Sequence, residues 1–173
     1  MLWLDQTTKH WARLRFSLPD GNPNSLRPLH VLGEWIQLRL VYNEGAAFGM
    51  KPQGVLPFLN PTVFYTIFSL AAMIFLVIYY RRLKPTEWAS RLGVILILAG
   101  AVGNLVDRLH FHKVTDFIDV SIPGVVIPYL SPWPTFNIAD SSVCVGMGIL
   151  LLVPLLFKSP ANSDSATSSP DAG

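Results

Sequence analysis

One cysteine, Cys144, stands alone in 173 residues. It can form no internal disulfide and has no companion at a metal-ligand spacing, so it reports no redox compartment and reads as a small core side chain. Charge is scarce as well: Asp, Glu, Lys and Arg make up 14% of the chain and leave a formal net charge of +2. With no basic stripe interleaved with aromatics, nucleic acid is excluded as a partner. Ser-His-Asp and Cys-His constellations are missing, and Ser141 and Ser142 read as helix-packing hydroxyls. His110 and His112 lie i and i+2 in what reads as a loop, a poor start for a metal site, so neither metal nor cofactor is expected. The stretch from Met1 to Leu18 carries Asp5, Lys9, Arg13 and Arg15. It lacks the apolar core of a signal peptide, and hydropathy alone does not make it a span. No internal repeat is visible.

Apolar residues are what the chain has in plenty. They form 51% of it, and mean hydropathy is +0.41, which places it among integral membrane proteins with room for one domain. Pro61 to Tyr80 is an uncharged run of about 20 residues, the length of helix that crosses a hydrocarbon core. Leu92 to Val106 is shorter, but Ala99, Gly100, Ala101 and Gly103 suit close helix packing. Ile138 to Phe157 makes a third span and carries one acid, Asp140, near its start. Between the first two lie Arg81, Arg82, Lys84 and Arg91, and so basic a short loop is expected in the cytoplasm. Residues 19–60 and 108–137 then lie outside. Three spans would leave the N-terminus outside too, yet Leu2, Trp3 and Leu4 resemble the last turn of an apolar helix, a partial first span within 1–18. The tail 159–173, rich in Ser, Ala and Pro, is expected to be a disordered cytoplasmic segment.

Strand signals fall in the outer segments. Residues 35–42 alternate, and Val114 to Val120 and Val125 to Ile127 are β-branched runs, with Pro123, Pro128, Pro132 and Pro134 breaking the chain after them. A small extracytoplasmic sheet on the membrane surface is expected. The costly polar residues gather at the same level. Asp140 sits within a turn of the start of an apolar helix, and Asn104, Asp107 and Arg108 end the preceding one, where charge is kept for function or paired. Asp116 and Asp119 follow in VTDFIDV. Two carboxylates sharing a site cannot both ionise cheaply, so one keeps a proton while the other acts as base, and no metal is needed. The residues alone pair Asp140 with one of Asp107, Asp116 and Asp119. Asp107 beside Arg108 also reads as a structural ion pair, and Asp119 as a solvated surface acid.

LDQTTK (4–9), NEGAAFG (43–49), GNLVDRL (103–109), VTDFIDV (114–120) and FNIADSSVCVG (136–146) resemble, in order, the motifs of the lipoprotein signal peptidases, or signal peptidase II. Each motif is weak by itself, and the five in sequence are highly specific. The resemblance implies an all-α membrane protein of four transmembrane helices with a small extracytoplasmic β-sheet, residues 1–158 forming one peptidase domain. It implies a monomeric aspartic endopeptidase of the bacterial inner membrane, with its active site near the extracytoplasmic face. Its substrates would be prolipoproteins, cut before their diacylglyceryl-modified cysteine, and membrane lipid its other partner. Matched by motif, the catalytic aspartates are Asp116 and Asp140. The supporting residues are Asn43, Asn104, Asp107, Arg108 and Asn137, with Asp5 and Lys9 in the first helix. Two departures accompany the match: only four residues precede Asp5, which implies a truncated first helix or an upstream start, and residues 119–137 look longer than usual. The rival classes are a small transporter or proton channel using the clustered acids, and a structural membrane subunit with an outer binding sheet.

Overall fold

The computed structural model describes residues 1–17, 28–44, 61–125 and 133–156. Four helices and three strands form in the order α1 (Leu2–Phe16), β1 (Leu29–Leu32), β2 (Ile36–Asn43), α2 (Pro61–Arg82), α3 (Trp88–Phe111), β3 (Val114–Val120) and α4 (Ile138–Leu156). The uncharged run from Pro61 becomes α2, and none of its described side chains is buried. Its Ile67, Phe68, Ile74 and Phe75 are all more than 60% exposed, an all-round apolar surface that suits hydrocarbon as solvent. Among the described residues, two helices, α2 and α3, are long and apolar enough to cross a bilayer by length and composition.

The tightest packing joins α3 to α4, and small residues make it possible. A Cβ on Gly93 would meet the Gly146 carbonyl oxygen at 2.9 Å, and one on Gly146 would meet the Gly93 carbonyl at 2.6 Å. A Cβ on Gly100 would run into the Ala139 carbonyl oxygen. Backbones this close gain dispersion contacts and leave no room for side chains between them. Ser142 Oγ donates across the same seam to the Leu96 carbonyl at 2.8 Å.

The sheet runs β1-β2-β3, antiparallel throughout. Alternation in β2 buries Leu40, which joins Ala12 and Phe16 of α1 and Phe117 of β3 in one apolar cluster. Register pairs Val41 with Asp116 and Asn43 with Val114, which brings Asn43 beside the N-terminal half of β3. The expected strands at 35–42 and 114–120 form, the first shifted by one residue to Ile36–Asn43. Val125 is not in a strand, and 126–127 lie outside the described residues, as do the NEGAAFG residues from Gly45 on and the tail. β1 carries no alternation and all four of its residues are exposed, so its pairing with β2 comes from the turn at Gly33, which adopts φ +52°. The first helix forms from Leu2 to Phe16 although hydropathy gives it no span, because its inward face is charged.

Candidate active site

That charged face is the foundation of the site. Asp5, Lys9, Ala12 and Phe16 recur at i, i+4, i+7 and i+11 and are buried, so α1 turns an acid and a base inward beneath its apolar end. Lys9 Nζ lies 3.0 Å from Asp5 Oδ2 and 3.5 Å from Asp107 Oδ2, and donates to Asn104 Oδ1 at 2.9 Å. A buried ammonium is tolerable only when its protons and charge are both met, as they are here. Asp5 Oδ1 accepts from the Ala139 backbone N–H at 2.9 Å, at the N-terminus of α4 where the helix dipole favours a carboxylate. Arg13, one turn past Lys9, donates to Thr115 Oγ1 at 2.8 Å and stands 3.7 Å from Asp107 Oδ1. Asp107 Oδ2 accepts from the Thr115 N–H at 2.8 Å. Asp107 is thus a structural ion-pair member whose cationic partners include Lys9 and Arg13 of α1.

On this base stand the two aspartates. Asn137 and Asp140 close α4 reciprocally: Asp140 N–H donates to Asn137 Oδ1 at 2.9 Å, and Asn137 N–H donates to Asp140 Oδ2 at 3.2 Å. The acid therefore belongs to the first turn of the helix, its rotamer held by the cap. Asn104 Nδ2 donates to its other oxygen at 2.8 Å. Asp116 is carried by β3 and is 2% exposed. Asn137 Nδ2 donates to Asp116 Oδ1 at 2.7 Å, and Asn43 Nδ2 to Oδ2 at 3.1 Å. Asn137 Nδ2 also donates to Asn104 Oδ1 at 3.1 Å, so two asparagines link one carboxylate to the other. Burial first, and then the neighbouring Asp140 charge, push the Asp116 carboxyl up to about 7 against the amide donors and Lys9, which lower it. Arg108 lies in the field of Asp140, Asp116 and Asp107.

Both acids open into one cavity of about 880 Å³. Asn43, Asn104 and Arg108 share its wall with them, while Val120 at the end of β3 and Ile122 and Trp133 after it flank the cavity, and Val143, Cys144 and Met147 continue it along α4. The lining is largely apolar, with the polar groups converging on the two carboxylates. Asp5, Lys9 and Asp107 lie behind the wall; Asn137 is fully buried between the acids. Asp119 is elsewhere: it pairs with Arg39 and its side chain is 13% exposed, so it is a partly buried ion-pair member and not a freely solvated acid. Cys144 is exposed, because α4 turns Gly146 toward α3 and leaves Cys144 on the cavity side. His110 lies inside α3, and His112 ends that helix at φ 58°; the loop expected there begins later. Arg13 and Thr115 were invisible as site supports in the sequence, although the i, i+4, i+8 spacing of Asp5, Lys9 and Arg13 was a usable signal.

Comparison with known proteins agrees with this architecture. The family model for Signal peptidase (SPase) II matches residues 1–157. The lipoprotein signal peptidase of Moorella thermoacetica is 38% identical over 157 residues, covering 89% of each chain. That of Syntrophotalea carbinolica is 41% identical over 124 residues, 72% of this chain and 71% of the relative. A bacterial membrane enzyme solved by the in meso method at 2.3 Å resolution superposes with a TM-score of 0.73 at 25% identity, covering 96% of this chain and 89% of that one. The chain belongs to the signal peptidase II family. It is a membrane peptidase of mostly helical fold with a small three-stranded sheet.

Proposed function

We propose that this chain is an aspartic endopeptidase of the bacterial inner membrane that removes signal peptides from diacylglyceryl-modified prolipoproteins, cutting before the lipid-modified cysteine. The observation that carries the reading is the pair of carboxylates, buried Asp116 and half-buried Asp140, linked through Asn104 and Asn137 at the wall of an apolar cavity. α1 to α4 are the four spans, and the sheet and the site lie near the extracytoplasmic face, opposite the basic loop of Arg81, Arg82, Lys84 and Arg91.

The two carboxylates share one proton; we assign it to Asp116, whose carboxyl is pushed up to about 7, and give Asp140, which accepts from the Asn104 amide and the Asn137 backbone N–H, the role of base. A water between them loses a proton to Asp140 as its oxygen attacks the scissile carbonyl carbon, while Asp116 donates its proton to the carbonyl oxygen. In the second half Asp140 returns its proton to the leaving amine nitrogen as the C–N bond breaks. Asp116 recovers its own from the diol hydroxyl, so both acids end as they began. No covalent intermediate is needed. Arg108, charged and beside both acids, is suited to hold the substrate backbone. The acyl chains lie along Val143 and Met147, so that contacts remote from the bond position it at the dyad. A proton relay would want acids spread through the bilayer, whereas below Asp107 and Asp140 neither α3 nor α4 has another acid.

Single-turnover cleavage of a lipid-modified prolipoprotein in reconstituted membranes tests this. Asp116→Asn and Asp140→Asn should each lower the rate by roughly 10³-fold or more, with helix content unchanged by circular dichroism. Near-normal cleavage by Asp116→Asn, together with loss in Asp107→Asn or Asp119→Asn, would show that the wrong acid has been paired with Asp140.

A further inference from the structure

Behind the wall of the cavity, Lys9 touches neither carboxylate of the dyad, yet one of its three protons enters the hydrogen-bond chain that reaches Asp140. The other two directions are accounted for by Asp5 and Asp107. Asn104 has two ends that look alike in shape and opposite in chemistry. Its Oδ1 receives Lys9 Nζ at 2.9 Å and Asn137 Nδ2 at 3.1 Å, and its Nδ2 donates to Asp140 Oδ1 at 2.8 Å. Turned over, the amide would set its NH₂ against an ammonium and its oxygen against a carboxylate, both repulsive. Asn137 cannot enforce this alone, because its own amide protons are shared with Asp116 Oδ1 and the Thr115 carbonyl. A cation on the carbonyl side of an amide also polarises the N–H bonds on the other side, which strengthens the donor.

We propose that Lys9 is a positioning residue of the peptidase reaction: it locks the Asn104 side-chain amide in one orientation and strengthens the hydrogen bond that Asn104 donates to Asp140. The inference rests on the aspartic peptidase reading for its kinetic consequence, though not for its geometry. Because Lys9 acts on the base and not on the substrate, its loss should appear in kcat and not in KM. Losing a charge-assisted link in the chain is expected to slow kcat roughly 10- to 100-fold. Asn104 is the route, so the two residues should not act independently.

The test is a cycle of Lys9→Met, Asn104→Leu and the double variant, assayed for cleavage of a lipid-modified prolipoprotein, with the asparagine side-chain amides followed by NMR in ¹⁵N-asparagine-labelled protein. Lys9→Met should lower kcat by the stated factor, leave KM within about threefold, and move the Asn104 Nδ2 resonances. In the Asn104→Leu background it should cost less than about threefold more. Losses that multiply in the double variant, or Asn104 resonances that stay where they are, would overturn the proposal. Should Lys9→Met fail to insert because Asp5 loses its ion-pair partner and Asp107 one of its cations, Lys9→Met/Asp5→Asn keeps the buried charge balanced and must show the same resonance shift and kcat loss. A wild-type protein that cleaves no prolipoprotein would sink the peptidase reading, while the resonances would still decide whether Lys9 holds Asn104.

Discussion

Gly103 of α3 packs against Asp5 of α1 and Ala139 of α4, and adding one methyl there should uncouple the three helices. A Cβ on Gly103 would stand 2.6 Å from Asp5 Oδ2 and 3.2 Å from the Ala139 Cβ. An ordinary contact begins at 3.4 Å, so Asp5 must retreat by about 0.8 Å, the difference between 3.4 and 2.6. The carboxylate is not free to swing. Its Oδ1 holds the Ala139 N–H at 2.9 Å, and its Oδ2 receives Gln6 Nε2 and Lys9 Nζ, each at 3.0 Å. Gly103→Ala therefore overpacks the junction and loosens at least one charge-assisted hydrogen bond, for a combined destabilisation of about 2–4 kcal/mol. Because the displaced N–H belongs to the residue before Asp140, cleavage should fall by roughly 30- to 100-fold even in the folded fraction. Gly148→Ala is the control: nothing lies within 4 Å of its Cβ, and the gain in helix propensity is about 0.5–1 kcal/mol. Thermal unfolding in detergent together with single-turnover cleavage measures both quantities. Equal and small effects at the two glycines would refute the reasoning, since they would mean that Asp5 is not wedged between α3 and α4.

The reaction should have an alkaline limit: kcat/KM is expected to fall as pH rises through about 7, where Asp116 loses its proton, by about tenfold per pH unit beyond it. The same shift has a sign for stability, because a carboxyl whose folded value lies above its ordinary 3.8 binds its proton more tightly in the folded state. Asp116 thus makes the fold progressively less stable between about pH 4 and 7, and Asp116→Asn should flatten that part of the wild-type profile of unfolding temperature against pH. Asp119→Asn should leave cleavage within about threefold and lower stability by about 1 kcal/mol or less, since its partner Arg39 is 45% exposed and the pair is screened. In a Cys144→Ala background, a cysteine placed at Pro123 should react with an impermeant thiol reagent in intact cells, and one at Lys84 only after permeabilisation. The opposite pattern would invert the orientation.

Hydropathy finds α2 and most of α3 and α4 because burial in lipid selects uncharged residues at every position, and such a run leaves a plain trace. It cannot find α1 for the same reason. The face that α1 buries is built from Asp5 and Lys9, and to a composition measure these residues read as solvent-exposed. Their burial becomes affordable only when Asp107 and Asn104 arrive from α3, about a hundred residues later in the chain. Asp119 shows the converse error. Three residues from Asp116, it is the same in type, and only once both are placed on β3 does the odd spacing send them to opposite faces, with Asp119 opposite Gln37 and Asp116 opposite Val41 of β2. The bare residues could therefore narrow the partner of Asp140 to three acids, and motif order was needed to choose among them. Cys144 reads as a core residue in the sequence and is exposed in the structure, because a helix with an apolar surface on every side gives no clue to which side meets a cavity. What decides it is the glycine at 146, which can lie against Gly93 only if Cys144 faces away. Where packing depends on the absence of a side chain, the informative residue is the small one, and the orientation of its neighbours follows from it.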